Sequence, residues 1–251
     1  MSRLRLSGTG VEKRFGRVRA LAGIDFEIAA GESVAILGAN GAGKSTWLRI
    51  LAGLAKPSAG RFEAVASDGA RGEQILSRDG LRGRIGYVGH ATLLHGELTA
   101  RENIDFAARL HGRRPSPADR DALLAELGLE EVADRRVSTM SRGTAQRVSI
   151  ARGVVHEPDV LLLDEPFTGL DEVSATRLSQ QLALLRQSGR SLVVVTHDPQ
   201  RAVELADRAL LLHRGLIRAT PRRADGALFE APALRESLLR LAREDAADGV
   251  R

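Results

Sequence analysis

The sequence predicts an α/β fold built on a parallel sheet with helices on both faces. Two observations carry this. Through the last third of the chain, short apolar runs alternate with helical stretches, the pattern of a parallel sheet covered on both sides. Earlier, the buried run Ser33–Leu37 passes through a glycine-rich loop, Gly38–Gly43, into a helix carrying Trp47, Leu48, Ile50 and Leu51.

The elements follow in order. Leu4, Leu6 and Val11, then Leu21, Ile24, Phe26 and Ile28, alternate with period two and read as strands broken by glycines. After the first helix, Pro57–Gly60 is a turn, Arg61–Ala66 a strand and Arg84–Val88 a buried strand. From Thr99 to Gly153 the period turns helical. Thr99 and Glu102 have the spacing of a capping box ahead of Ile104, Ala107, Ala108 and Leu110, and Leu123, Leu124, Leu127 and Leu129 form a second stripe. A third helix is expected over Arg147–Val155. Then come strand Val160–Leu163, helix Val173–Gln187, strand Leu192–Thr196, helix Gln200–Leu205 and strand Ala209–His213. A weak helix, Leu234–Arg243, precedes final residues expected to be disordered.

Composition narrows the function classes. The 251 residues contain no cysteine, which excludes a disulfide framework and a cysteine metal site and fits a reducing compartment. The N-terminus lacks the apolar run of a secretion signal, and each long apolar run is of strand length, so any membrane crossing is expected to fall to other chains. The formal charge is +5, but the basic residues are interleaved with acids and form no block, so no nucleic-acid partner is expected. Lysine is scarce (Lys13, Lys44 and Lys56), which makes the placement of Lys44 informative.

The loop Gly38-Ala39-Asn40-Gly41-Ala42-Gly43-Lys44-Ser45-Thr46 fits G-x-x-x-x-G-K-[ST]. Glycines let the backbone curl so that N–H groups converge on phosphate oxygens, and the following helix adds its positive end. Lys44 is expected to reach the β- and γ-phosphates and the Ser45 hydroxyl to hold Mg²⁺. Asp164 and Glu165 close the strand Val160–Leu163; the first can orient the metal and the second polarise an attacking water. His197 follows the strand Leu192–Thr196, on the carboxyl edge where parallel sheets place ligands, and can hydrogen-bond a γ-phosphate oxygen. The bland alternatives are a ligand-free glycine turn, a helix cap and a surface histidine.

Taken together these residues resemble the ATP-binding subunit of ABC transporters over about residues 3–220. Gly38–Ser45 matches Walker A, Leu161–Glu165 Walker B, Thr168–Asp171 the D-loop, Met140–Arg147 the signature and His197 the switch histidine. Phe15 matches the aromatic residue that stacks on adenine. The resemblance implies a P-loop NTPase: a RecA-like parallel-sheet core with a small antiparallel β lobe and an inserted α-helical lobe. The core is expected over 1–88 and 156–220, the helical lobe over 89–155 and a tail with a short helix over 221–251. It also implies ATP and Mg²⁺ as cofactors, membrane-spanning partner subunits, a peripheral position on the cytoplasmic face of the cell membrane, and a head-to-tail homodimer or heterodimer. In that dimer Ser141 and Gly143 of one subunit serve the nucleotide of the other, and the D-loop Asp171 is a further nucleotide-binding residue.

Two departures stand out. Arg142 and Thr144 replace a glycine and the glutamine of the signature, while Ser141 and Gly143 remain. His90 stands where the family has the Q-loop glutamine, and offers a nitrogen in its place. The segments Gly86–His90, Leu98–Ile104 and Ala107–Gly112 further resemble the haem exporter of cytochrome c biogenesis, although Ala91 departs from that subfamily's glutamine. The rival classes are an exporter of other organic molecules, a soluble ABC ATPase acting on ribosomes or DNA, and a module that holds ATP without turnover.

Overall fold

A computed structural model describes residues 3–67 and 72–248. The chain runs β1 (Arg3–Phe15), β2 (Val18–Ile28), β3 (Val34–Leu37), α1 (Lys44–Leu51), β4 (Ala59–Ser67), β5 (Glu73–Ile75), α2 (Arg78–Arg82) and β6 (Ile85–Val88). Next come the helices α3 (Ala100–Leu110), α4 (Pro117–Glu126) and α5 (Arg142–Val154). The remainder is β7 (Val160–Asp164), α6 (Glu172–Gln187), β8 (Ser191–Val195), α7 (Pro199–Leu205), β9 (Arg208–His213), β10 (Leu216–Ala219) and α8 (Ala231–Asp248).

Two sheets result. The central one has the order β10-β9-β3-β8-β7-β6, parallel except for the β9–β10 hairpin. The second, β2-β1-β4-β5, is antiparallel throughout. The central strands are apolar on both faces because both are covered. Val34, Ile36, Leu162, Val193, Val195, Leu210 and Leu212 face α1 and the antiparallel sheet in one core. On the opposite face, Leu161, Leu163, Leu192 and Val194 pack under α3, α5 and α6, while Ala35, Leu37, Ala209 and Leu211 pack under α7 and α8. Strand alternation thus separates three cores with one sheet.

Trp47 anchors α1. It is fully buried and meets Phe26 edge to face with ring centroids 5.0 Å apart. That contact fixes the helix whose first residue is Lys44 against the antiparallel sheet.

The structure corrects two expectations. The helix expected from Arg147 begins at Arg142, because the Ser141 hydroxyl accepts from the Thr144 N–H and caps it one turn earlier. The C-terminal tail is no appendage: α8 extends from Ala231 to Asp248, and Leu234 and Leu241 insert into the core beside Ala202 and Phe229. Helix therefore replaces the expected disorder through Asp248, and residues 249–251 lie outside the described residues. The helical segment 89–155 packs on one face of the sheet. The β5 strand, α2 and β10 went unforeseen. Among the described residues no helix is long and apolar enough to cross a membrane.

His111 ends α3 and His156 follows α5, and their rings stack 3.7 Å apart at 3°. Nε2 of His156 faces the Ile85 carbonyl at 3.1 Å, while its buried Nδ1 has no partner among the described residues. Burial, with the charge of His111 next, holds the His156 imidazole down to about 4. The unfolded chain binds this proton below about 6.5 and the native fold does not until about 4, so stability falls as pH drops through that window. Urea unfolding at stepped pH should show this slope, and His156→Phe should flatten it. Leu234→Ala should lower stability by about 2–4 kcal/mol in the same assay at neutral pH.

Candidate functional site

The carboxyl ends of β3, β7 and β8 converge on one cleft of about 390 Å³. Its wall includes Asn40, Gly41, Gly43, Lys44, Ser45 and Thr46 from the glycine loop and α1, with Asp164, Glu165, Thr168, His90 and His197 opposite. Strands β3, β8 and β7 are adjacent, so loops far apart in sequence leave the sheet side by side.

The loop is shaped by what its glycines lack. A Cβ at Gly43 would lie 2.3 Å from the Ala20 carbonyl oxygen, and φ there is +105°. A Cβ at Gly38 would lie 2.2 Å from the Leu212 carbonyl oxygen. Helices α3 to α7 each have a side-chain N-cap; α1 has none. The first-turn N–H groups of α1 are therefore left for an acceptor from outside, at the positive end of the helix dipole.

Lys44 is 7% exposed and donates to the Gly38 carbonyl at 2.8 Å and the Ala39 carbonyl at 3.0 Å. Burial pushes its ammonium below the usual lysine range, and the charges of Glu165 and Asp164 oppose that shift. The Ser45 hydroxyl donates to Asp164 Oδ1 at 3.0 Å, joining the start of α1 to the end of β7. Asp164 is 3% exposed.

Glu165 turns the chain out of β7 with φ +52°, a left-handed conformation uncommon in a residue with a side chain. Its N–H donates to the Val195 carbonyl at 2.9 Å and its carbonyl accepts from the Thr168 N–H at 3.2 Å. Nδ1 of His197 lies 2.9 Å from Glu165 Oε2, so the loops after β7 and β8 meet through their side chains. The arrangement offers a hydroxyl and a carboxylate for a hard cation, an ammonium and helix N–H groups for phosphate oxygens, and a carboxylate–imidazole pair for water. These groups fit a magnesium-bound nucleotide triphosphate.

The other expected site residues lie elsewhere on the chain. Gly38 and Ala39 line a neighbouring groove under α8, with His197 between the two hollows. Ala42 is buried against the first core, and its N–H is taken by the Ala39 carbonyl. Phe15 is 53% exposed, with the Lys13 ammonium 5.2 Å from its ring centroid, and is not part of the cleft wall. Ser141, Gly143 and Asp171 are also outside it. Ser141 caps α5 and Asp171 caps α6 through the Ser174 N–H at 2.8 Å. Thr168, which the sequence assigns to the D-loop match without a cleft role, lines the cleft; its place three residues after Glu165, in the same turn, was the available signal.

The ABC transporter family model matches residues 21–168. The chain is a member of the ABC transporter ATP-binding family. It is 37% identical over 227 residues to the molybdenum import ATP-binding protein ModC of Mycobacterium tuberculosis, covering 86% of this chain and 59% of that one. It is 37% identical over 210 residues to the Nod factor export ATP-binding protein I of Burkholderia orbicola, covering 82% and 66%. Sulfate/thiosulfate and aliphatic sulfonates import proteins match at 36% and 42% identity. The chain thus spans about three-fifths of the length of several of these relatives. Among solved structures, the ATP-binding cassette MJ0796, dimeric and bound to ADP and Pi, superposes with TM-score 0.74 at 31% identity, covering 86% of this chain and 98% of that one. This ABC member accordingly has the P-loop NTPase fold.

Gly43→Ala should push the loop off the Ala20 carbonyl. The expected result is a lower unfolding midpoint in calorimetry and loss of nucleotide affinity, against an unchanged Gly96→Ala midpoint, since a Cβ at Gly96 would meet only the Ser138 Cβ, at an ordinary 3.6 Å.

Proposed function

We propose that this ABC protein binds magnesium-ATP in the cleft and hydrolyses it to power transport through separate membrane-spanning chains. The observation that carries the reading is the convergence of Lys44, Ser45, Asp164, Glu165 and His197 on one cleft. Lys44 exchanges its two loop carbonyls for phosphate oxygens, aided by the N–H groups of Gly43 to Thr46 at the start of α1. Ser45 and Asp164 hold the metal, which when bound supplies the positive charge that offsets the triphosphate. Glu165 accepts a proton from water, and His197 orients its carboxylate; the imidazole is 70% exposed, leaving its other nitrogen open to the cleft. His90 adds a nitrogen from the same wall.

Phe15 presents an exposed ring to the adenine. Ser141, Gly143 and Asp171, absent from the chain's own cleft, serve the nucleotide of a second subunit arranged head to tail. The likeness to a dimeric cassette supports that reading. Leu93, Phe106 and Leu110 are 57%, 44% and 72% exposed on the helical segment, an apolar surface suited to docking membrane-spanning partners. The protein then works at the cytoplasmic face of the membrane, bound peripherally.

The finer reading is export, of the haem type serving cytochrome c maturation. Its support is the resemblance of Gly86–His90, of which His90 lines the cleft, and of Leu98–Ile104, at the start of α3. The names of the similar proteins run in both directions, with several importers among them. A neighbouring gene for a six-helix haem-export subunit, and loss of c-type cytochromes on deletion, would support this reading; a neighbouring importer permease would refute the cargo and leave the ATPase standing.

Lys44→Ala should abolish turnover and weaken ATP binding; unchanged turnover would refute the phosphate role. Glu165→Gln should keep ATP affinity, lose about 100-fold or more in turnover and run as an ATP-dependent dimer on a sizing column. Retained turnover there would show that water is activated elsewhere, and no turnover in the wild-type with its membrane partner would favour a nucleotide-holding module.

A further inference from the structure

The loops that carry Glu165 and His197 share one more tie, behind the cleft. Arg201 lies in the first turn of α7, four residues after His197, and is 6% exposed. Its Nη2 donates to Glu172 Oε1 at 2.7 Å and its Nη1 to Glu204 Oε2 at 2.9 Å. Its guanidinium carbon sits 5.6 Å from the centroid of the Phe167 ring. Glu204 accepts in addition from the Ser179 hydroxyl of α6 at 2.9 Å.

These partners are placed in a telling order. Phe167 comes two residues after Glu165, and Glu172 is the first residue of α6. They bracket Thr168–Asp171, the turn that supplies Thr168 to the cleft. One planar, permanently charged fork therefore holds both ends of the turn that follows Glu165, and does so from the helix that follows His197. A fork that bridges two carboxylates and lies by an aromatic ring is a rigid spacer, and lysine cannot reproduce it. The interaction at the cleft that this spacer sets is the 2.9 Å approach of His197 Nδ1 to Glu165 Oε2.

We infer that Arg201 is a positioning residue: it fixes the loop bearing His197 against the loop bearing Glu165 and Thr168, and so sets the geometry of the water-activating pair. This rests on the proposed hydrolysis, but the spacer role is a property of the fold and can be read without turnover.

The test uses the intact chain with Arg201→Met, Arg201→Lys and Glu172→Gln. Hydrogen exchange is measured over residues 165–171 and 196–199, and ATPase kinetics in parallel. Arg201→Met should raise exchange about tenfold in both segments together while the exchange of α1 stays at the wild-type rate. It should also lower kcat about tenfold or more with KM for magnesium-ATP within about twofold, because misplacing a reacting group leaves ground-state binding intact. Arg201→Lys should recover only part of each loss. Glu172 is 85% exposed on its side chain, so Glu172→Gln keeps the fold if Arg201→Met does not, and should loosen residues 166–171 in the same direction. Wild-type exchange in both segments of a folded Arg201→Met, or in residues 166–171 of Glu172→Gln, would overturn the inference; so would full rescue by lysine. Absent turnover in the wild-type with these exchange changes present would strike the hydrolysis reading alone.

Discussion

Lys44 is held where an ammonium is hard to keep. It is nearly buried, leans on two carbonyl oxygens of its own loop, and faces the carboxylates of Asp164 and Glu165. Burial lowers the ammonium's proton affinity, and the two acids at the end of β7 oppose that shift. That balance exists because β3, β8 and β7 lie side by side and release their loops on one edge. The sheet order is thus the first requirement of the site, and the apolar strands that enforce it are as much part of the chemistry as the polar residues at their ends.

The same edge stores local strain. Glu165 adopts a left-handed backbone at a cost of about 1 kcal/mol or more, and its N–H bond to Val195 ties that conformation to the adjacent strand. The glycine loop is likewise defined by carbonyl groups of Ala20 and Leu212 packed where side chains would be. Both loops are held by the backbone of neighbouring elements. Membership of the ABC family and the fold of solved cassettes agree with this architecture.

Much of this could be read from the sequence, for reasons that differ by residue. The run Val160–Asp164 and the loop Gly38–Thr46 declare themselves because a buried strand and a phosphate loop each need specific residues in consecutive positions. The capping box at Thr99 was legible for the same reason. Strand β5 was not, since Glu73, Gln74 and Ile75 are all exposed and carry no alternation of burial. The start of α5 was obscured by Gly143 and Thr144, poor helix formers that a single cap at Ser141 overrides. Arg201 was invisible because its carboxylates lie on two helices, and Glu172 is 29 residues away in sequence. Phe15, Ser141, Gly143 and Asp171 sit outside the wall of the chain's own cleft, a separation that sequence order could not show.

Calorimetric titration of the purified chain with ATP, once with magnesium and once with a chelator, tests the central claim most directly. The charge arrangement around Lys44, Ser45 and Asp164 predicts saturable binding of one nucleotide per chain that weakens sharply when the metal is withdrawn. Heat that never saturates in either condition would contradict it.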